Sequence, residues 1–189
     1  MAVPPGVILA GGRARRMGGG DKGLQMLAGQ TLLARITARL GPQVCKMALS
    51  ANGPAERFAG LGLPVLPDSV GAGPLAGILA GMDWAAARGD AALITVPGDT
   101  PFLPADLVMR LQGAGFAMAA SGGVLHPTFG LWPVDLRDAL RDALSGGMRR
   151  VREFAQAHGA GTVDFPDEAA FFNINTPQDL IQAEAMLAR

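Results

Sequence analysis

From Gly6 onward, short apolar runs of strand length alternate with longer stretches whose apolar residues recur at helical spacing. This alternation constrains the chain more than any other feature. Strand, helix and next strand pack together most simply when the strands lie parallel and the helices cover the sheet. The strand candidates are GVILA (6–10), CKMALS (45–50), LPVLP (63–67), AALITVP (91–97), GFAMAAS (115–121) and LHPTFGLW (125–132), with GTVDF (161–165) as an added edge strand. Between them, TLLARITARL (31–40) sets Leu32, Leu33, Ile36 and Leu40 on one helical face. PLAGILAGMDWAAAR (74–88) and PADLVMRLQ (104–112) each open on a proline, a favourable first helical residue. MRRVREFAQAH (148–158) and TPQDLIQAEAMLA (176–188) are amphipathic, the latter opening on Thr176 and Pro177. The expected fold is a three-layer α/β/α Rossmann-like arrangement with a mostly parallel central sheet, in one domain over residues 1–189.

Composition narrows the function. Sixteen basic residues balance sixteen acidic ones in 189, so the global basic excess of a nucleic-acid or membrane-surface protein is missing. Cys45 is the only cysteine, which excludes a disulfide framework or a zinc cluster within the chain. No window reaches the ~20 apolar residues of a membrane span, and MAVPPGVILAGG does not read as a signal peptide. The expectation is a soluble cytoplasmic protein.

In open parallel sheets, ligands bind beyond the carboxyl ends of the strands, so the residues after each strand candidate matter most. After the first comes LAGGRARRMGGGDKG (9–23), whose glycines let main-chain N–H groups approach an anion while Arg13, Arg15, Arg16 and Lys22 supply charge. Several cations on one loop suit a polyphosphate, although a solvated surface loop is the plainer alternative. Lys22 is followed by Gly23, so this is not a P-loop, and the Gly18, Gly20, Gly23 triplet lies too far from the strand to be a dinucleotide fingerprint. After the fourth strand comes PGDTPFLP, where prolines 97, 101 and 104 bracket Asp99. The carboxylate reads equally as a Mg²⁺ ligand beside phosphates or as a turn or helix cap. Asp68 follows the third strand, and Ser50 and Asn52 end or follow the second. A carboxylate such as Asp68 can accept both N1–H and the 2-amino group of guanine, or can serve only the turn. His126 is a candidate substrate contact or a hydrogen-bonded strand histidine. Asn173 and Asn175 share one face of an extended segment, and line a pocket or belong to the helix start. No Ser-His-Asp or Cys-His set can be assembled, which suits a nucleophile already ionised at neutral pH, such as a phosphate monoester with a second pKa of ~6.

Taken together, LAGGRARRMGGGDKG, GPLAGI (73–78), PGDTPFLP (97–104), HPTFGL (126–131) and FFNINTP (171–177) resemble, in this order, the molybdenum cofactor guanylyltransferases, within the nucleotidyltransferase superfamily. The resemblance spans essentially the whole chain. It implies a nucleotidyltransferase fold and transfer of GMP from Mg-GTP to the terminal phosphate of molybdopterin bearing molybdenum, with release of pyrophosphate. It places Leu9, Ala10, Gly11 and Gly12 at main-chain nucleotide contacts, Lys22 at the phosphates, Asn52 and Asp68 at further nucleotide contacts, and Asp99 at Mg²⁺. Arg16, a cation of the same loop, is expected to offset charge on the leaving pyrophosphate alongside Lys22. His126, Asn173 and Asn175, with Arg149 and Arg150 as further candidates, fall on the pterin side. The implied partners are GTP and Mo-molybdopterin, with transient contact to molybdenum-insertion or molybdoenzyme-maturation proteins, in a monomer or weak oligomer. Cytidylyl transfer to molybdopterin and sugar-1-phosphate nucleotidyl transfer are the enzymatic alternatives; a non-enzymatic GTP-binding protein is the distant one. All of these readings require Lys22 and Asp99 to face one shared cleft.

Overall fold

Val7 and Ile8 are adjacent and fully buried, yet they enter different cores. Successive strand side chains point to opposite faces, so a strand buried on both sides must carry cover on both. The computed structural model describes residues 2–11, 21–68 and 73–188. The first half runs β1 (Gly6–Leu9), β2 (Met26–Leu27), β3 (Gln30–Thr31), α1 (Leu32–Leu40), β4 (Met47–Ser50), β5 (Val65–Leu66) and α2 (Pro74–Ala86). The second runs β6 (Ala92–Pro97), α3 (Leu107–Ala114), β7 (Ala117–Ser121), β8 (Val124–Pro133), α4 (Arg137–Ser145), α5 (Val151–Ala157), β9 (Gly161–Asp164) and α6 (Pro177–Leu187).

Seven strands form one sheet in the order β5-β4-β1-β6-β8-β7-β9. β1 is parallel to β4 and β6, β4 to β5, and β7 to β9. Only β8 is antiparallel to its neighbours, wedged between β6 and β7. The reversal comes from Gly122 and Gly123, both at positive φ, which turn β7 directly into β8. β9 lies at the sheet edge, as the sequence predicts.

On one face, Leu33, Ile36 and Leu40 of α1 and Leu107, Val108 and Leu111 of α3 pack in the core that holds Ile8, Leu49, Ile94 and Val96. On the other, Ile78, Leu79 and Met82 of α2, Leu140 and Leu144 of α4 and Phe154 of α5 cluster with Val7, Ala48 and Leu93. Burying each of the Val, Leu, Ile, Met and Phe side chains among them stabilises the fold by roughly 1.5–3 kcal/mol. Thr95 of β6, fully buried, is satisfied: its hydroxyl donates to Thr128 O at 2.9 Å and accepts from Trp132 Nε1 at 2.8 Å. A third, smaller cluster of Leu27, Leu32, Ile174 and Ala183 fastens α6 and the segment before it to the β2–β3 hairpin.

Three features depart from expectation. α3 starts at Leu107, because residues 104–107 form a turn in which Leu107 N donates to Pro104 O. The β2–β3 hairpin has two residues per strand, too short for any alternation to register. α4 matches no expected element, although Leu136, Leu140 and Leu144 recur every fourth residue and the last two are buried.

Candidate functional site

The parallel strands β5, β4, β1 and β6 all end on the same rim. Three inter-strand spacings, about 14 Å, separate the outer two. At the centre, Gly98 brings the chain leaving β6 against the end of β1. Its N–H donates to Leu9 O at 2.9 Å, and a Cβ there would stand 3.1 Å from that same oxygen and 3.2 Å from Ala10 Cα. Glycine permits this approach, and it puts the next residue, Asp99, beside the Leu9–Ala10 backbone. Leu9, Ala10, Lys22, Gly23, Gly98 and Asp99 line a single cleft.

Lys22 sits in a short 3-10 turn, Lys22–Leu24, and is only 8% exposed. Its ammonium has three N–H donors, and three acceptors face it. Asp99 Oδ2 and Asn175 Oδ1 each lie at 2.5 Å, and Asn173 Oδ1 at 3.3 Å. The two asparagines flank fully buried Ile174, so period-two alternation sends both amides to the same side. Ile174 N donates to Asp99 O at 3.0 Å, tying this segment to the acidic corner. Lys22 and Asp99 therefore share one cleft, and Asn173 and Asn175 belong to it.

Toward the β5 end of the rim, Asp68 accepts from Ser50 Oγ at 3.1 Å and from Asn52 Nδ2 at 2.8 Å, one on each carboxylate oxygen. Asp68 N returns a bond to Asn52 Oδ1 at 3.0 Å. Among the described residues, two of the carboxylate's roughly four acceptor positions have no partner. Across β6, β8 is irregular between Gly130, which faces Thr95, and His126, which faces Ala119 of β7, so His126 lies level with the last residues of β6. His126 does not reach the Lys22 cleft. Its Nε2 pairs with Ser121 Oγ at 2.8 Å and its ring stacks on Phe171 at 4.4 Å, two residues before Asn173. Burial pushes its imidazole below the ordinary value.

Gly11 is exposed at the mouth of the rim. Gly12, Arg13, Arg15 and Arg16 lie outside the described residues. Arg149 and Arg150 stay local: the first donates to Leu144 O and Met148 O, the second pairs with Glu153. Two wider hollows, around Arg110 and Phe165 and around Val3 and Met109, contain none of the expected site residues.

Two residues join the site that sequence reasoning passes over. Arg57 bonds Asp21 Oδ2 at 3.1 Å and donates to Asn52 O, tying the end of the glycine-rich loop to the Asn52–Asp68 pair. No local pattern marks it. Asp179 accepts from Asn175 N at 2.7 Å and Thr176 N at 2.8 Å. The Asn175 N–H is the main cause that holds its carboxyl below the usual range, with Thr176 and the Lys22 charge contributing. The spacing Thr176-x-x-Asp179 is a capping-box signal that could have found it.

Residues 6–161 match the model of the MobA-like NTP transferase domain. The chain is 54% identical over 187 residues to a molybdenum cofactor guanylyltransferase of Cereibacter sphaeroides, across 97% of both chains. It is 52% identical to one of Bradyrhizobium, across 97% of this chain and 93% of that one. Among solved structures, molybdopterin-guanine dinucleotide biosynthesis protein A of Archaeoglobus fulgidus superposes with a TM-score of 0.76 at 25% identity, covering 97% of this chain and 98% of that one. The 2-C-methyl-D-erythritol 4-phosphate cytidylyltransferase of Thermus thermophilus shares the fold with a TM-score of 0.70 at 23% identity, both chains fully covered.

Proposed function

The chain belongs to the MobA-like NTP transferase family, and on that premise we propose that it acts, as one domain of residues 1–189, as a molybdenum cofactor guanylyltransferase. It transfers GMP from Mg-GTP to the terminal phosphate of Mo-molybdopterin and releases pyrophosphate. The observation that carries the reading is the Lys22–Asp99 pair at 2.5 Å, in a cleft walled by the ends of β1 and β6. That is a buried cation and an aimed carboxylate in the place where a parallel sheet binds ligands.

The acceptor phosphate is ionised at neutral pH, so no imidazole base is needed, and none lines this cleft. An acceptor oxygen forms a bond to the α-phosphorus of GTP while the bond from that phosphorus to the β-bridging oxygen breaks. Lys22 stabilises the negative charge that grows on the leaving pyrophosphate. With all three of its donors taken in the free protein, Lys22 must exchange at least one partner for phosphate, and Asp99 is the partner with another task. Among the described residues no cluster of three or more His, Cys, Asp or Glu could hold a metal ion. Asp99 alone suits Mg²⁺, which takes one or two carboxylates together with phosphate oxygens. When bound, the ion supplies neutralisation of phosphate charge. Leu9, Ala10, Gly11 and Gly12 offer main chain to the nucleotide, with Arg16 at the phosphates. The Asp68 carboxylate, with its two oxygens, suits the paired N1–H and 2-amino donors of guanine, and cytosine has no such pair. His126, Asn173 and Asn175 lie toward the pterin side.

The test is pyrophosphate release with GTP, CTP, ATP or UTP, with and without Mo-molybdopterin. Release is expected only with GTP and acceptor together. Preference for CTP, or turnover with a hexose 1-phosphate instead, overturns the reading.

A further inference from the structure

We propose that Asp179 is a positioning residue for Lys22, acting through Asn175; its consequence for catalysis rests on the reading above. Asp179 is the third residue of α6, and its exchange with Thr176 is a helix capping box: Thr176 Oγ1 accepts from Asp179 N at 3.2 Å, and Asp179 Oδ2 accepts from Thr176 N at 2.8 Å. Those two bonds are what a helix start requires. The third bond is not. Asn175 lies before the cap, outside the helix, so its N–H is not one of the donors that a helix leaves open. Asp179 Oδ2 nevertheless accepts from it at 2.7 Å, closer than from the capping N–H.

That extra bond fixes the backbone of the residue whose side chain touches Lys22 at 2.5 Å. The same short segment is held from its other side by Ile174 N on Asp99 O. Ile174 between them is fully buried against Leu27, Leu32 and Ala183. The strip carrying both amide acceptors is thus anchored by the acidic corner at one end and by Asp179 at the other. Lys22 can then leave Asp99 for a phosphate without losing its seat, because Asn173 and Asn175 stay in place. Without Asp179, Asn175 loses its backbone anchor and Lys22 loses aim.

Lys22 and Lys46 are the only lysines, so ¹⁵N-lysine NMR observes the Lys22 ammonium directly. It does so without nucleotide or turnover. Asp179→Ala and Asp179→Asn are compared with Thr176→Ala, which removes the other half of the cap but leaves the carboxylate. All three should lower the melting temperature. In Asp179→Ala, Lys22 ammonium protons should exchange with solvent about tenfold faster and kcat should fall on the order of tenfold to a hundredfold. Asp179→Asn, whose amide oxygen can accept the same two N–H bonds, should restore most of both. Thr176→Ala should keep kcat within about twofold, as a lost cap alone predicts. Adding Asp179→Ala to Lys22→Ala should cost no further activity, the signature of two residues acting as one unit. An unchanged Lys22 signal in Asp179→Ala, or an equal change in Thr176→Ala, overturns the proposal and leaves Asp179 a helix cap. Absence of transfer by the wild-type protein overturns the functional reading instead, and the Lys22 signal still decides the role of Asp179.

Discussion

Removing the Asp99 carboxylate strands a buried ammonium. The Lys22 side chain is 10% accessible against 21% for Asp99, so water can replace the partner of Asp99 more readily than that of Lys22. Breaking a fully buried pair by deleting one member costs about 3–5 kcal/mol. Two corrections reduce that figure here: Lys22 keeps the Asn173 and Asn175 carbonyl oxygens, and the site is partly open. Asp99→Ala should therefore cost about 2 kcal/mol. Lys22→Ala should cost about 1 kcal/mol, because Asp99 keeps the Thr100 hydroxyl at 3.3 Å and its share of solvent. For a chain of this length ~2 kcal/mol corresponds to a drop of roughly 4–8 °C in melting temperature. The double variant removes both charges, so its loss should fall short of the sum by at least about 1 kcal/mol. Thermal and urea unfolding of the four proteins in EDTA, without nucleotide, measures all of this. Additive losses, or a larger loss for Lys22→Ala than for Asp99→Ala, would refute the account of a shared, poorly solvated pair.

Burial lowers the His126 pKa in the native state, so the unfolded chain takes up the proton first. Its stabilising contribution is complete above about pH 6.5 and fades as pH falls through the lower native value. His126→Gln should flatten the melting temperature between about pH 7 and 5, and an unchanged slope would count against a half-buried neutral imidazole. Gly77 in α2 leaves no room for a Cβ, which would stand 2.5 Å from Ser50 Oγ and 3.0 Å from Leu9 Cδ2. Overpacking of ~1–3 kcal/mol, offset by ~1 kcal/mol of helix propensity, leaves Gly77→Ala less stable by about 1 kcal/mol. Because Ser50 Oγ also donates to Asp68, the variant should raise the KM for GTP as well. Gly60→Ala, where the space is open, should do neither; equal behaviour of the two would rule out the contact.

The sequence determined what depends on near neighbours along the chain. Among the described residues, apolar runs and helical spacing mark all seven strands of the main sheet and five of six α-helices, because burial patterns repeat every two or every 3.6 residues whatever lies opposite. The topology rule then directed attention to the residues after β1, β4, β5 and β6, and the motifs there supplied Lys22, Asp68 and Asp99. α4 was equally legible from Leu136, Leu140 and Leu144; the β2–β3 hairpin is too short to leave a pattern. Tertiary structure alone decided who meets whom. Lys22 reaches Asp99 across 77 residues and Asn175 across 153, and nothing local at any of these positions encodes such partners. The same holds for Arg57, which joins Asp21 to Asn52, and for Asp179, whose capping role is written in its spacing but whose bond to Asn175 is not. Sheet order and the packing of Ile174 bring these groups together, since a hydrogen bond depends on where two atoms come to rest in space, and only the folded chain sets that.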